Sequence, residues 1–421
     1  MTGNDIVAKF GIGNDFFDFV EKNKDEDTTK LLLSKKNKNL NFDLKFATLQ
    51  IKCRKRIAKK LPEIASCKKF IFPTLLSTEQ CTGQTVAQFH ASLFEHMANV
   101  LDLTAGLGID DFYIADKAGC VTSVEADPLV AAALQYNMSA YKRNITVVND
   151  DARNYIKTLS ASASRFDAVF IDPARRDENS RRTYGLKDCE PDVLQMIGDI
   201  KQTTDTLFIK ASPLLDIAQV IIEIPEITKI WIVGVNNECK ELLLRADFKA
   251  NRPTTETDIE INTLNFEAPH SCQMLRLPHR NMISQQAIKY CDGNILPYIY
   301  EPNCCIMKAR AFNELSTRYD NLLKLSENSH LFTADKFYED FPGRIFQVVE
   351  TIPFKDKFIK RLNKKYPKAN ISTRNFILSA NDVKNRLKIQ DGGNIYIFAT
   401  STQNQENILI VTQKPTHQQC N

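Results

Sequence analysis

No apolar run in the sequence approaches the length of a bilayer span, which argues against a transmembrane helix. The opening residues Met1 to Asp5 carry neither the basic flank nor the apolar core of a secretory signal, so a cytoplasmic protein is expected. None of the eleven cysteines forms a C-x-x-C pair, and only Cys304 and Cys305 are adjacent. An odd count without paired spacing speaks against a secreted disulfide framework and against a zinc ribbon. It points to reduced, mostly buried thiols. The six histidines are scattered; His270 and Cys272 could form half a metal site, but no second half is visible, and no metal is expected. Internal repeats and long low-complexity linkers are also missing.

What is present is ordinary in bulk. A chain of 421 residues is too long for one core, so two or three domains are expected. Its 43% hydrophobic and 25% charged content suits a globular protein. The net charge of +4 hides an uneven distribution: +7 over residues 1–75, −9 over 76–300 and +6 over 301–421. An acidic middle between basic ends suits a cationic small ligand at the centre and a polyanion at the edges. Solvated surface charge would give the same pattern.

Residues 1–75 read as helical and polar. The best helix there runs from Asp43 to Leu61, with Leu44, Leu49, Ile51 and Ile57 interrupted by Lys52, Arg54, Lys55, Arg56, Lys59 and Lys60; Pro62 should end it. From about residue 99, short apolar runs alternate with helical stretches. Asn99–Thr104, Cys120–Asp127, Ile145–Asn149, Phe166–Asp172, Thr206–Ala211 and Lys229–Val235 read as buried strands, and Pro128–Tyr141 and Asp192–Thr203 as helices. This alternation predicts an α/β fold, a doubly wound, mainly parallel sheet with helices on both faces. Asp258–Phe266 would add an edge strand and bring the sheet to seven. Beyond about residue 275 the pattern is irregular. Tyr298–Pro302 looks like a strand end or turn, Phe354–Tyr366 like an amphipathic helix, and Asn394–Thr400 with Asn407–Thr412 like a β-hairpin closed by Ser401–Glu406. These make a separate C-terminal α+β domain.

In an open parallel sheet, ligands bind beyond the carboxyl ends of the strands. The first strand here ends at Asp102 and Thr104, and Gly106 and Gly108 then allow a tight turn and close approach of backbone to ligand. Asp110 or Asp111 can cap the helix that follows. A dinucleotide loop would place a third glycine where Asp111 stands, and a carboxylate there would repel a pyrophosphate. S-adenosylmethionine has no phosphate; it carries a sulfonium and an ammonium, which carboxylates such as Asp102 favour. Glu125, ending the second strand, can accept hydrogen bonds from both ribose hydroxyls. Asp151, after the third strand, can accept from the adenine amine. Each acid alone could be an ordinary cap or turn residue; together, at three successive strand ends, they form a pattern.

Leu101–Asp110, Val124–Asp127, Asp151-Ala152 and Asp172–Arg176 resemble the successive motifs of class I S-adenosylmethionine-dependent methyltransferases, with their Rossmann-like fold. More closely, the chain resembles a bacterial family of such proteins with a ferredoxin-like segment and a C-terminal THUMP-like domain. The stretches that carry this likeness are Glu79–Thr85, Asp102–Asp110, Asp172–Arg176, Lys210–Pro213, Glu238–Glu241, Tyr300–Pro302 and Asp391–Gly393. The resemblance implies an N-terminal helical region (1–75), a cofactor-binding methyltransferase domain (76–275), a ferredoxin-like segment (276–330) and a THUMP-like α+β domain (331–421). It implies S-adenosylmethionine as cofactor, held by Asp102, Thr104, Gly106, Gly108, Asp110, Glu125 and Asp151.

Methyl transfer from a sulfonium needs positioning above all. Asp172-Pro173-Ala174-Arg175-Arg176 stands where nitrogen-directed nucleic-acid methyltransferases usually read Asp/Asn-Pro-Pro-aromatic. Asp172 is then the polar group nearest the methyl, and Arg175 and Arg176 orient substrate or form structural ion pairs. Base stacking could come from an arginine plane, Phe89 or Tyr184. The motif also resembles that of RNA uracil-C5 methyltransferases, but Ile209–Pro213 offers no cysteine nucleophile. Glu79–Thr85 either folds over the methionine end of the cofactor or is a plain capping box at Ser77. Lys357, Arg361, Lys364 and Lys368 recur at helical spacing beside Phe358, Leu362 and Tyr366, and with Lys52, Arg54, Lys55 and Arg56 could follow a phosphate backbone. The expected function is methylation of structured RNA, a base of rRNA or tRNA. The alternatives are a protein or small-molecule methyltransferase, and a non-catalytic RNA-binding protein that keeps the pocket.

Overall fold

The computed structural model describes every residue except 35–38, 176–184, 250–258, 268–270, 279–287, 361 and 416–421. The chain divides into two compact units, Met1–Thr228 with Leu242–Pro253, and Lys229–Glu241 with Thr254–Asn421.

The first unit begins with helices α1 (Gly3–Phe10), α2 (Asn14–Lys22), α3 (Thr28–Leu33), α4 (Leu44–Ile57), α5 (Pro62–Ser66), α6 (Leu75–Gln80) and α7 (Gln84–Ser92). Ile6, Phe16, Phe46, Ile51 and Ile71 pack into one core with Ala132 and Ala133. Helix α4 ends at Ile57, earlier than expected, because the chain turns there to bury Leu61. The Ile57 carbonyl accepts both the Lys60 and Leu61 N–H groups. Pro62 starts α5 rather than ending α4, as its fixed φ and missing N–H suit a first helical position.

The alternating part follows as β1 (Asn99–Asp102), α8 (Ile109–Ile114), β2 (Cys120–Glu125), α9 (Pro128–Ala140), β3 (Ile145–Asn149), α10 (Ala152–Ala161), β4 (Ala168–Ile171), the short hairpin β5 (Ala174–Arg175) and β6 (Cys189–Glu190), α11 (Val193–Thr203), β7 (Thr206–Ala211) and α12 (Ile217–Glu223). The acids between strand and helix explain the switch of structure: Asp127, Asp151, Asp192 and Asp216 each cap the next helix through their side chains. Then come β8 (Ile227–Val235), β9 (Glu238–Asp247), β10 (Glu260–Glu267) and β11 (Ser271–Pro278). The sheet has nine strands in the order β11-β10-β8-β9-β7-β4-β1-β2-β3, not the seven expected. From β3 to β7 it is parallel, and β9 runs antiparallel to β7. Asp258–Phe266 was expected at the edge; β10 is instead interior, parallel to β8 and antiparallel to β11.

In the second unit β12 (Tyr298–Pro302) is followed by α13 (Cys304–Ala309), α14 (Phe312–Arg318), β13 (Leu323–Lys324), β14 (Phe332–Ala334), β15 (Gly343–Pro353), α15 (Asp356–Ile359), α16 (Leu362–Lys365), β16 (Asn370–Arg374), α17 (Ala380–Leu387), β17 (Ile395–Ser401) and β18 (Asn407–Gln413). They form a seven-stranded sheet ordered β13-β14-β12-β15-β18-β17-β16. The expected hairpin is β17–β18, antiparallel from Ile395↔Gln413 to Ser401↔Asn407. Tyr298–Pro302 is a strand paired on both sides, not a turn. The helix expected over Phe354–Tyr366 is two short ones. The chain here buries Ile359, Leu362 and Tyr366 against Val383, Leu387 and Ile397, and leaves Phe358 exposed. No helix among the described residues is long and apolar enough to cross a membrane.

Candidate functional site

The loop after β1 is fixed by backbone geometry and by two carboxylates. The Thr104 N–H donates to Asp102 Oδ1 at 2.7 Å, and the Gly108 N–H donates to the Ala105 carbonyl at 2.8 Å. Gly106 and Gly108 have φ of 55° and 72°, in the left-handed region that glycine adopts without strain. Their reasons differ. A Cβ on Gly108 would lie 2.1 Å from Leu134 Cδ1, so this glycine lets the loop close on α9. A Cβ on Gly106 would meet nothing nearer than the Thr104 carbonyl at 4.0 Å, so its side of the loop is open. The Gly106 N–H donates to Glu125 Oε2 at 2.9 Å, tying the loop to the end of β2, while Glu125 Oε1 accepts the Asp127 N–H at 2.7 Å. Burial pushes the Glu125 carboxyl above its usual range.

Asp111 stands in the first turn of α8 but does not line the cavity, and the helix is capped at Gly108 without the expected side-chain cap from Asp110 or Asp111. Asp111 is fully buried, and Ser123 of β2 donates to its Oδ2 at 2.5 Å. Burial, more than the neighbouring charge of Asp110, pushes Asp111 up to about 7. Burial and the repulsion of Asp111 hold Asp102 well above the ordinary carboxylate range. Asp102 and Asp111 are therefore an interacting buried pair under the loop, both carboxyls holding their protons to higher pH than usual.

Asp110 faces the other way. Its Oδ1 lies 2.8 Å from His90 Nδ1, and its Oδ2 accepts the Thr82 hydroxyl at 2.5 Å. Burial alone would raise this carboxyl; Lys210 and His90 more than reverse that and hold it at about 2. Lys210 Nζ donates to Thr82 Oγ1 at 2.8 Å and to Asp172 Oδ2 at 2.6 Å, and lies 4.0 Å from Asp110 Oδ2. The Asp172 N–H donates to Thr104 Oγ1 at 2.7 Å, linking the end of β4 to the loop after β1. Asp151 caps α10 and pairs with Arg153, whose Nη1 also reaches Glu190 at 2.7 Å. The Arg153 ion pair lowers the Asp151 carboxyl.

These groups open onto one cavity of about 1300 Å³ beyond the carboxyl ends of the parallel strands, lined entirely by residues of the first unit. Asp102, Asp110, Glu125, Asp127, Asp151, Asp172, Asp188 and Glu190 all line it; no lysine or arginine is among its described lining residues. An acidic cavity of this size fits a cationic nucleoside such as S-adenosylmethionine and disfavours a pyrophosphate. The open side of Gly106 leaves room for a ligand against the backbone.

The cavity unites Asp102, Thr104, Gly106, Gly108, Asp110, Glu125, Asp151 and Asp172. Gln80, Cys81 and Thr82 also line it, so Glu79–Thr85 reaches the site in part. The capping box at Ser77 is not formed, because α6 starts earlier and Thr74 is its cap. Phe89 is not among the lining residues. Arg175 contributes backbone pairing with Cys189, and Arg176, Tyr184 and His270 lie outside the described residues. Sequence reasoning missed Thr82, His90 and Lys210, and two cavity-lining cysteines, Cys81 and Cys189. Two signals were available, the family-like runs Glu79–Thr85, which holds Cys81 and Thr82, and Lys210–Pro213; His90 and Cys189 come from elements with no motif. Burial pushes the Cys81 thiol up, which makes it a poor nucleophile.

The basic residues divide. Arg54 does not face solvent: its guanidinium donates to the carbonyls of Ala65, Cys67, Lys68 and Phe70, holding the chain after α5 in place. Arg56 pairs with Glu79, and Lys55 donates to the Glu26 carbonyl. Lys52, Lys357, Lys364 and Lys368 are exposed; Lys368 lies beyond α16, and Arg361 is not described.

Comparison with known proteins agrees with this geometry. The family described as "Putative SAM-dependent methyltransferase" matches residues 28–232, a ferredoxin-like domain matches 298–342 and a THUMP-like domain matches 343–414. A solved structure, a "putative methyltransferase from Porphyromonas gingivalis W83", superposes with a TM-score of 0.86 at 27% identity, covering 99% of this chain and 100% of that one. Two proteins named "Ribosomal RNA small subunit methyltransferase J" are each 32% identical. That of Chromobacterium violaceum matches over 120 residues, 26% of this chain and 46% of its own length. That of Francisella philomiragia matches over 122 residues, 26% of this chain and 48% of its own. The chain thus spans about half the length of these curated relatives. In fold and domain composition the chain therefore matches S-adenosylmethionine-dependent methyltransferases over residues 28–232, followed by a ferredoxin-like and a THUMP-like domain.

Proposed function

We propose that this chain transfers the methyl group of S-adenosylmethionine to a base of structured RNA, with small-subunit ribosomal RNA as the acceptor to test first. The observation that carries the reading is the carboxylate-lined cavity beyond the parallel strand ends, without a lysine or arginine among its described lining residues. The donor supplies a methyl on a positively charged sulfur, which leaves as a neutral thioether once a nucleophile takes the methyl. Asp102, Thr104, Gly106, Gly108 and Asp110 would hold its methionine part, Glu125 the ribose hydroxyls and Asp151 the adenine end. Asp172 would stand nearest the methyl, with Arg175 and Arg176 orienting the acceptor. RNA is supported by the names of the relatives and by the THUMP-like domain. Exposed Lys52, Lys357, Lys364 and Lys368 would meet its phosphates, with Lys55, Arg56 and Arg361 beside them; Arg54, spent on four carbonyls, would not. All ten described cysteines are free thiols, which suits the reducing cytoplasm as the place of reaction.

The test is transfer of labelled methyl from S-adenosylmethionine to small ribosomal subunits and total RNA from cells lacking this gene, followed by nucleoside analysis. A single new methylated nucleoside is the expected result. No label in RNA, with S-adenosylhomocysteine still raising the melting temperature, would leave the cofactor and remove the acceptor.

A further inference from the structure

The direction of every hydrogen bond around Asp110 follows from its charge. Held at about pKa 2, Asp110 is an ionised carboxylate and can only accept. His90 Nδ1, at 2.8 Å, must therefore carry the proton, and the Thr82 hydroxyl, at 2.5 Å, must donate. With its hydrogen committed to Asp110, Thr82 Oγ1 can only accept from Lys210 Nζ at 2.8 Å. The ammonium of Lys210 is thus fixed between an orienting hydroxyl and Asp172 Oδ2 at 2.6 Å, with its side chain only 12% exposed. Asp172 is the more open partner, 38% exposed, and lines the cavity.

We infer that Lys210 is a positioning residue for the reaction, held by Thr82, Asp110 and His90 so that Asp172 meets the acceptor as an oriented, ionised carboxylate. The inference rests on the methyl-transfer reading and deepens it. A carboxylate kept ionised beside an ammonium accepts protons in hydrogen bonds and donates none, so the acceptor it suits brings an N–H or O–H to the site. An exocyclic amine of a base meets that condition, and a bare ring carbon does not. Among the described residues, the titratable groups around Asp172 and Lys210 come from several elements: Lys210 from β7, Asp110 from α8, Cys81 from the turn after α6 and, against Asp110, His90 from α7. Asp102 and Asp111 lie beyond Asp110 and couple to it.

The sign is definite. Removing the cation raises the pH at which Asp172 takes a proton, so activity that needs the ionised form is lost from the acid side. In K210M the acid limb of the pH profile for kcat should move up by about one to three pH units, the range for a carboxylate that loses an adjacent cation. K210R should restore it, and S-adenosylhomocysteine affinity should change little in either. An arm without catalysis uses the protein alone, labelled with 13Cγ-aspartate. The Asp172 resonance, identified by its absence in D172N, should titrate at higher pH in K210M than in wild type. T82V, which loosens Lys210 but keeps its charge, should give a smaller upward shift and serves where K210M does not fold. An Asp172 titration that moves in neither variant overturns the inference whatever the RNA assay gives. A shift in the resonance with no methyl transfer to small ribosomal subunits by wild type would sink the acceptor assignment and leave the Lys210–Asp172 relation standing.

Discussion

Asp102 and Asp111 show how far a residue's chemistry can depart from its place in a motif. On the sequence, Asp111 occupies the third-glycine position and argues against a dinucleotide by repulsion at a helix end. In the fold it is turned toward β2, where it accepts from Ser123, and it raises the proton affinity of Asp102. The conclusion about the ligand survives for a different reason, the carboxylates that line the cavity itself. The buried pair has its own consequence for stability. Both groups keep protons to higher pH in the folded chain than in the unfolded one, so the folded state binds more protons above about pH 4. Stability contributed by the protonated pair is complete at low pH and is lost as pH rises toward and through 7, where Asp111 titrates. Asn at position 111 supplies a neutral group of the same shape. D111N should match wild type at pH 5 and melt higher at pH 8, by about 2–4 °C for roughly 1 kcal/mol. Melting curves at the two pH values check this; a variant less stable at pH 8 would contradict it. Asp102, Glu125 and Asp151 were legible as cavity residues because acids at three successive strand ends form a pattern, and Asp172 because it opens the motif after the fourth strand. The roles of Thr82 and Lys210 were not, although both stand in family-like runs, and His90 gave no signal, because their contacts come from packing between the turn before α7, α7, α8 and β7.

At the scale of elements, the helices and strands around the site follow the sequence closely, since their caps and apolar runs are local signals. The first five expected strands match to within a few residues. What escaped was β9, inserted antiparallel between β7 and β8. Its signal was present: Asn236 and Asn237, at φ of 51° and 63°, form the two-residue turn that favours a hairpin. The long helix expected in the second unit failed because periodicity places Phe358 inward, whereas the chain buries Ile359. The loop between β1 and α8 yields a sharper expectation, because its two glycines are glycine for unlike reasons. G106A should cost about 1–2 kcal/mol, the penalty of a left-handed backbone alone. G108A adds a clash with Leu134 to that strain and should cost more, with loss of cofactor binding. Urea unfolding of the two variants tests the ranking, and equal losses would remove the packing argument.

For the whole molecule, the charge asymmetry visible in the sequence separates into two places. The acidic centre concentrates in one cavity of the first unit, while the basic ends are only partly free, since Arg54 is spent on backbone carbonyls and the exposed Arg56 is paired with Glu79. If the exposed lysines of the second unit contact phosphates, their neutralisation should flatten the salt dependence of RNA binding. The triple variant K357Q/K364Q/K368Q should lose about 2 units from the slope of log K against log salt concentration, at roughly 0.7 per phosphate contact in single-stranded RNA. Filter binding at several salt concentrations measures the slope; an unchanged slope would place the RNA surface elsewhere.

The same acidic cavity sets a direction for turnover. On the proposed methyl-transfer reading, the donor enters with a positive sulfur and a positive ammonium, and the spent molecule leaves with the ammonium alone. Each cycle would therefore weaken the ligand's own electrostatic hold on ionised carboxylates such as Asp110 and Asp151, so the site discharges what it has used. Product should inhibit weakly and donor should win the competition. An analogue with an amine in place of the sulfonium keeps the lost charge, and it should displace donor at lower concentration than the thioether product does.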